Sequence, residues 1–197
     1  MKIGVVNGSP RKRGSASENI IGALRERLGK APEYALCSAM SQSGREIVSA
    51  LLGCDALIFV FPLYVDGVPS HLLRFLEESQ GQISGAVPAA VVYAVVNNGF
   101  YEPAQNILAV NTLKSFCVKS GLKWGQGVCA GGGGMIGARR IGRSPLKNLG
   151  MALDALAENV LQLKTAEDRL VKPDISRFFY LCAASVSMMF HMVKNRL

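Results

Sequence analysis

The stretch that decides the fold is Met1–Leu28, MKIGVVNGSPRKRGSASENIIGALRERL. Its apolar run Ile3-Gly4-Val5-Val6 is short enough for a strand buried on both faces. The chain breaks at Asn7-Gly8-Ser9-Pro10, crosses a basic, hydroxyl-rich loop, and enters a helix with Ile20, Ile21, Leu24 and Leu28 on one face. Strand, small-residue loop and helix aim backbone N–H groups and a helix N-terminus at an anion. Ser9, Ser15 and Ser17 add hydroxyls, while Arg11, Lys12 and Arg13 add charge. The pattern is that of a phosphate cradle. A solvated loop in which Ser15 or Ser17 merely caps the helix uses the same residues and stands beside that reading.

Two other phosphate loops are excluded. No Lys-Ser or Lys-Thr pair directly follows a glycine, as a G-x-x-x-x-G-K-[ST] loop requires. Gly8 has no second glycine two places on, so the dinucleotide fingerprint is missing after the first strand. A serine-rich loop suits a terminal monophosphate, which accepts many hydrogen bonds.

The chain of 197 residues predicts one domain, large enough for a sheet covered on both faces. Hydrophobic residues make up 49%, which fits a buried parallel sheet and excludes a disordered chain. The N-terminus carries no signal-peptide pattern. Cysteines 37, 54, 117, 129 and 182 form an odd set without a C-x-x-C pair, which argues against disulfides, zinc or an iron–sulfur cluster. The expected compartment is the reducing cytoplasm. The net charge of +8 favours an anionic partner, but the basic residues are dispersed and no nucleic-acid motif is present. The densest groups are Arg11–Arg13 and Arg139, Arg140, Arg143 and Lys147.

Further along, strands and helices alternate. Residues 33–37 form a weak edge strand, and Ile47, Val48, Leu51 and Leu52 mark a second helix. Residues 56–61 are a strong central strand, and Pro69-Ser70 opens the next helix. Residues 89–96 form a fourth strand, 102–120 a helix, and 122–130 a fifth strand. A glycine-rich loop over 131–137 precedes a helix carrying Leu146, Leu149, Leu153, Leu156, Val160 and Leu163. The fold class is α/β, a doubly wound five-stranded parallel sheet of order 2-1-3-4-5, because right-handed crossovers cover both faces.

In such a sheet a ligand lies beyond the carboxyl ends of the strands, at the switch point between strands 1 and 3. The loops there are 7–17, 62–68 and 97–101, flanked by 131–143. Pro62-Leu63-Tyr64-Val65-Asp66-Gly67-Val68-Pro69 holds an aromatic, apolar neighbours and backbone N–H groups; Asn97-Asn98-Gly99-Phe100-Tyr101 offers amides and two aromatics. The ligand that fits is a planar heterocycle on a phosphate tether.

GSPR with later serines, followed after strand 3 by PLYVDGVPSHL, resembles the flavodoxin-like NAD(P)H-dependent FMN reductase family over about the first 165 residues. The resemblance implies FMN, with its phosphate on Ser9, Arg11, Ser15 and Ser17. The isoalloxazine ring would lie along Pro62, Leu63, Tyr64 and Val65, with Asn97, Asn98 and Gly99 on its other side. Related flavoproteins often have Asn where this chain has Ala16, and some carry a cysteine cluster that Cys37 and Cys54 alone cannot supply. The implied reaction moves a hydride from NADPH or NADH to FMN and then to a small-molecule electron acceptor such as a quinone or flavin. Backbone N–H groups of 64–67 would stabilise charge at the pyrimidine edge of the ring, and Arg139 or Arg140 would receive a nicotinamide-nucleotide phosphate. No side chain is singled out as catalytic. The other classes are a flavodoxin-like electron carrier without nicotinamide turnover and a nucleotide-binding regulator without flavin. Carriers of that kind are usually acidic, unlike this chain.

Other features have plainer explanations. Gly132–Gly137 matches G-x-G-x-x-G at the fifth strand, where no further βαβ half follows; a flexible loop is expected there. His71 falls at a helix start, and Asp66-Gly67 is a turn signature. Residues 166–197 form a C-terminal extension to the FMN-binding domain of residues 1–165. Within it the run from Phe178 to Val193 is almost wholly apolar, short of the ~20 residues that span a bilayer. An extra apolar C-terminal helix is expected, packed first on a partner subunit of a homodimer or higher homo-oligomer, second on its own sheet edge, third on a membrane surface.

Overall fold

Alternation along the central strands builds a core on each side of one sheet. In the computed structural model, residues 1–11, 13–87, 89–182 and 185 are described. Six strands, β1 (Lys2–Asn7), β2 (Glu33–Ser38), β3 (Ala56–Pro62), β4 (Val91–Asn97), β5 (Lys123–Ala130) and β6 (Arg169–Val171), pair in the order β2-β1-β3-β4-β5-β6, all parallel. Leu57, Phe59, Phe61, Val92, Ala94 and Val96 point to one face. There they meet α2 (Gly44–Leu51), α3 (Ser70–Ala86) and α4 (Ile107–Lys119). Ile58, Val60, Tyr93, Val95 and Val128 point to the other, under α1 (Ala16–Leu28) and α6 (Lys147–Leu161). The period of two along strands buried on both faces explains why each reads as a continuous apolar run.

Helix α1 begins as read, with Ser15 at the N-cap accepting from the Glu18 N–H at 3.1 Å. Arg27 pairs with Asp154 at 2.6 Å and ties α1 to α6. The helix expected over 102–120 opens with a 3-10 turn, Ala104–Asn106, before α4. There the buried Asn106 Nδ2 donates to the Val96 and Ala130 carbonyls, each at 3.1 Å, and bridges the ends of β4 and β5.

Two expectations are corrected. The sheet has six strands rather than five. A single carboxylate anchors the addition: Asp168 accepts from the Gly127 N–H at 2.7 Å and from Trp124 Nε1 at 3.1 Å, and pairs with Lys114 at 2.5 Å. Those bonds lay Arg169–Val171 against Val128–Ala130. Residues 131–137, expected as a flexible loop, contain a helical turn, α5 (Gly133–Ile136), with Gly131, Gly132 and Ile136 buried. The C-terminal apolar helix is seen at its start, over residues 177–182. Tyr180, 6% exposed, packs on this chain's own domain, against the loop after β4 rather than on the sheet edge. Apart from residue 185, the remainder of that run lies outside the described residues.

Candidate functional site

The register levels the strand ends. Asn7 pairs with Val60, Pro62 with Asn97, and Asn97 with Ala130. The loops after β1, β3, β4 and β5 therefore leave from one edge of the sheet, and Ser9, Tyr64 and Asn98 share it.

The loop after β1 is shaped by close approach. The Gly8 N–H donates to the Val60 carbonyl at 2.9 Å, and a Cβ on Gly8 would stand 2.5 Å from Leu72 Cδ2 and 2.9 Å from Phe61 Cβ. Only glycine lets α3 pass there. His71 Nε2–H donates to the Gly8 carbonyl at 3.1 Å, so His71 holds the loop to the first turn of α3. The Ser9 N–H donates to Asn7 Oδ1 at 2.9 Å, and the Arg11 N–H to Ser9 Oγ at 3.2 Å. These bonds turn the chain without consuming the start of α1.

At that start several polar groups remain open. Ser17 Oγ is buried without a hydrogen-bond partner. Among the described residues the N–H groups of Ala16 and Ser17 likewise have no acceptor. Ser9, Ser15 and Ser17 are 3%, 4% and 1% exposed, so the fold covers all three side chains. Buried polar atoms are almost always satisfied. An orphan hydroxyl beside free helix N–H groups has the donor chemistry of a phosphate site, and the residues present fit the FMN phosphate. One carboxylate already uses part of this field: Glu18 Oε2 accepts the Gly14 N–H at 2.6 Å. The S-x-x-E spacing of Ser15 and Glu18 was a readable signal for it.

The loop after β3 is a tight turn. Tyr64 and Gly67 exchange backbone hydrogen bonds of 3.0 and 2.9 Å around Val65 and Asp66, whose φ values are 46° and 56°. Both central residues are left-handed, an arrangement rare for a β-branched valine. The expectation that N–H groups throughout 64–67 serve a ligand is corrected: Tyr64 and Gly67 spend theirs on each other, leaving those of Val65 and Asp66. Pro62 and Leu63 are partly buried, whereas Tyr64 and Val65 are exposed. The Leu63 N–H donates to the Asn97 carbonyl at 2.7 Å and stitches this loop to the next.

The loop after β4 spends its polar groups inward. Asn97 Nδ2 donates to the Phe61 carbonyl at 3.3 Å. Asn98 Nδ2 donates to the Glu102 carbonyl at 3.0 Å, and its Oδ1 accepts the Phe100 N–H at 3.0 Å. Both asparagines are 3% exposed, so they shape the loop from within rather than offering amides at its surface. The Gly99 carbonyl accepts the Tyr180 hydroxyl at 2.5 Å, and the Tyr101 and Tyr180 rings lie 5.5 Å apart. Burial raises the Tyr180 pKa, which keeps that hydroxyl protonated as a donor. Tyr180 is a contact the sequence did not reveal, since nothing in its spacing links it to Gly99.

The glycine run completes this edge. The Gly132 N–H donates to the Phe100 carbonyl and that of Gly133 to the Asn98 carbonyl, both at 2.6 Å. A Cβ on Gly131 would overlap the Tyr101 carbonyl. Gly131 and Gly133 are glycines because two loops touch backbone to backbone, and the N–H groups of Gly131, Gly132 and Gly133 are already spent. Arg139 and Arg140 follow it and, with Glu18, Asn19 and Glu26, line a groove of about 370 Å³ along α1. Among the described residues no His, Cys, Asp and Glu cluster could hold a metal. Burial pushes the Cys117 and Cys129 thiols up to about 12 and Cys54 to about 11, which leaves them inert as nucleophiles.

No protein-family model matches the sequence, and neither does any curated protein. Solved structures do resemble it. An NADH:FMN oxidoreductase aligns over 84% of this chain and 91% of its own, with TM-score 0.63 and 14% identity. A Trp repressor binding protein from Bacillus subtilis aligns over 81% and 97%, with TM-score 0.58 and 16% identity. A short-chain flavodoxin associated with a bacterial microcompartment aligns over 84% and 100%, with TM-score 0.58 and 13% identity.

Proposed function

We propose that this chain, whose fold is flavodoxin-like, is an FMN-dependent oxidoreductase that takes reducing equivalents from NADPH or NADH and passes them to a small acceptor such as a quinone or flavin. The observation that carries the reading is the Ser17 hydroxyl beside the Ala16 and Ser17 N–H groups, all without a partner among the described residues. FMN, when bound, supplies the redox chemistry. The chain supplies the grip and the position. Ser9, Ser15, Ser17 and the α1 N-terminus bind the phosphate, with Arg11 adding charge from the loop. Pro62, Leu63, Tyr64 and Val65 give one wall of a slot for the ring, and Gly99, on a loop braced by Asn97 and Asn98, faces it from the next strand. The N–H groups of Val65 and Asp66, not used within the turn, would serve as donors to charge on the ring's polar edge. Arg139 and Arg140, beside the first turn of α1, receive a phosphate of the nicotinamide nucleotide. The cysteines among the described residues are unbridged, in keeping with work in the cytoplasm.

The test is to load the protein with FMN and mix it with NADPH and with NADH without oxygen. Rapid, stoichiometric loss of flavin absorbance is expected, with turnover when a quinone or free flavin is added. Tight FMN binding with no bleaching would instead make the chain an electron carrier. A protein that binds no FMN overturns both readings. Alanine at both Arg139 and Arg140 should raise the KM for the nicotinamide nucleotide without changing FMN affinity.

A further inference from the structure

The first turns of the C-terminal helix are held by one residue and present the others to solvent. Tyr180 is turned inward onto Gly99 and Tyr101. Phe178, Phe179 and Leu181 are 70%, 68% and 52% exposed, and Phe100 on the adjoining loop is 57% exposed. An exposed cluster of two aromatics and a leucine is the kind of apolar patch that marks an interaction surface. The sequence beyond, ASVSMMFHMV, continues the apolar composition and is followed by Lys194 and Arg196.

A basic margin adjoins this face. Lys172 precedes it and Arg177 opens it, both exposed. Lys147 is brought alongside by its N–H bond to Asp174 Oδ1 at 2.8 Å, with Arg143 in the same loop, which the Asp174 N–H meets at the Pro145 carbonyl at 3.1 Å. The carboxylates here are Glu102, paired with Lys172 at 2.7 Å, and Asp174. Cations exceed carboxylates locally, as they do across a chain of net charge +8. Among the described residues no helix is long and apolar enough to cross a membrane.

We infer that this face docks the protein on the surface of an anionic phospholipid bilayer, with Phe178, Phe179 and Leu181 entering the interface and Arg177, Lys147 and Arg143 meeting lipid phosphates. Charge decides between the two occupants that an apolar face admits. A second copy packed two-fold on this face would set one basic margin against another, whereas an acidic lipid surface satisfies the apolar and the basic parts together. The dock lies over the loop after β4, since Tyr180 fastens the helix to Gly99. It therefore brings the candidate flavin edge toward the bilayer, from which an apolar acceptor would come.

The experiment is sedimentation of the full chain with vesicles of phosphatidylcholine alone and of phosphatidylcholine with phosphatidylserine. The chain should sediment with the mixed vesicles, roughly tenfold less with the neutral ones, and lose binding as salt rises. Phe178→Ser with Phe179→Ser should abolish binding with an unchanged melting temperature, because both side chains are exposed. Arg177→Glu, a solvent-facing change independent of the apolar pair, should weaken binding several-fold on mixed vesicles only. Absence of wild-type binding to mixed vesicles overturns the inference, as does equal binding by the double variant. So does a stable dimer in solution that the double variant converts to monomer, which would assign the face to a second copy.

Discussion

The start of α1 and the contact between residues 98–101 and 131–133 lie at the same edge of the sheet and contain similar polar, small-residue sequence, yet they handle hydrogen bonding in opposite ways. Around Asn98, Gly132, Gly133 and Gly99 the donors and acceptors close on one another, at distances down to 2.5 Å. At the start of α1 a buried hydroxyl and two backbone donors have no partner among the described residues. A closed set of polar groups rigidifies a scaffold, and an open buried set costs stability unless a ligand completes it. The contrast separates what holds the candidate site from what binds in it.

The largest effect should come from the closed side. Gly131→Ala places a methyl on the Tyr101 carbonyl, which is backbone and cannot swing away. A loss of about 3 kcal/mol in urea unfolding is expected, and retention of full stability would show that the two loops are not in contact. Next is a reciprocal pair. Asn98→Ala should cost about 1–2 kcal/mol of stability by unpairing the Phe100 N–H and the Glu102 carbonyl. Ser17→Ala should leave stability level or slightly higher while weakening FMN about tenfold. If both variants lose stability alike, the distinction between the two regions fails.

A smaller effect of opposite sign is expected at Glu18. Glu18→Gln removes a negative charge from the helix N-terminus while sparing its shape. FMN affinity, measured by quenching of flavin fluorescence, should rise a few-fold, at a stability cost of about 0.5 kcal/mol. The last prediction concerns pH. Cys129, at the end of β5 beneath the glycine run, is raised by burial from 9.0 to about 12. Between those values the unfolded chain ionises the thiol while the folded one keeps it neutral, so stability falls as pH rises. The melting temperature of wild type should decline more steeply over this range than that of Cys129→Ala.

Much of this was legible in the sequence. The strands buried on both faces read as apolar runs, the crossovers fixed their order, and Gly8, Ser9, Ser15 and Ser17 stood between a strand and an amphipathic helix. What was hidden depends on partners distant in the chain. β6 has three residues, too few for a period, and exists because one carboxylate at Asp168 reaches β5 and α4. Asn97 and Asn98 read as available amides because their acceptors, the Phe61 and Glu102 carbonyls, are visible only once the loops are folded. The glycine run read as flexible since a glycine's lack of a side chain is uninformative until a neighbouring backbone is seen against it. Tyr180 lay within a stretch whose apolar composition gave no reason to single it out.

The measurement that bears most directly on the central claim compares FMN with riboflavin, which differs by the phosphate alone, in wild type and in Ser17→Ala. If the open groups at the start of α1 grip that phosphate, wild type should bind FMN about a hundredfold more tightly than riboflavin, and the variant should narrow the gap about tenfold without altering riboflavin binding. Equal affinity for the two flavins, or a variant that weakens both to the same degree, would contradict the account.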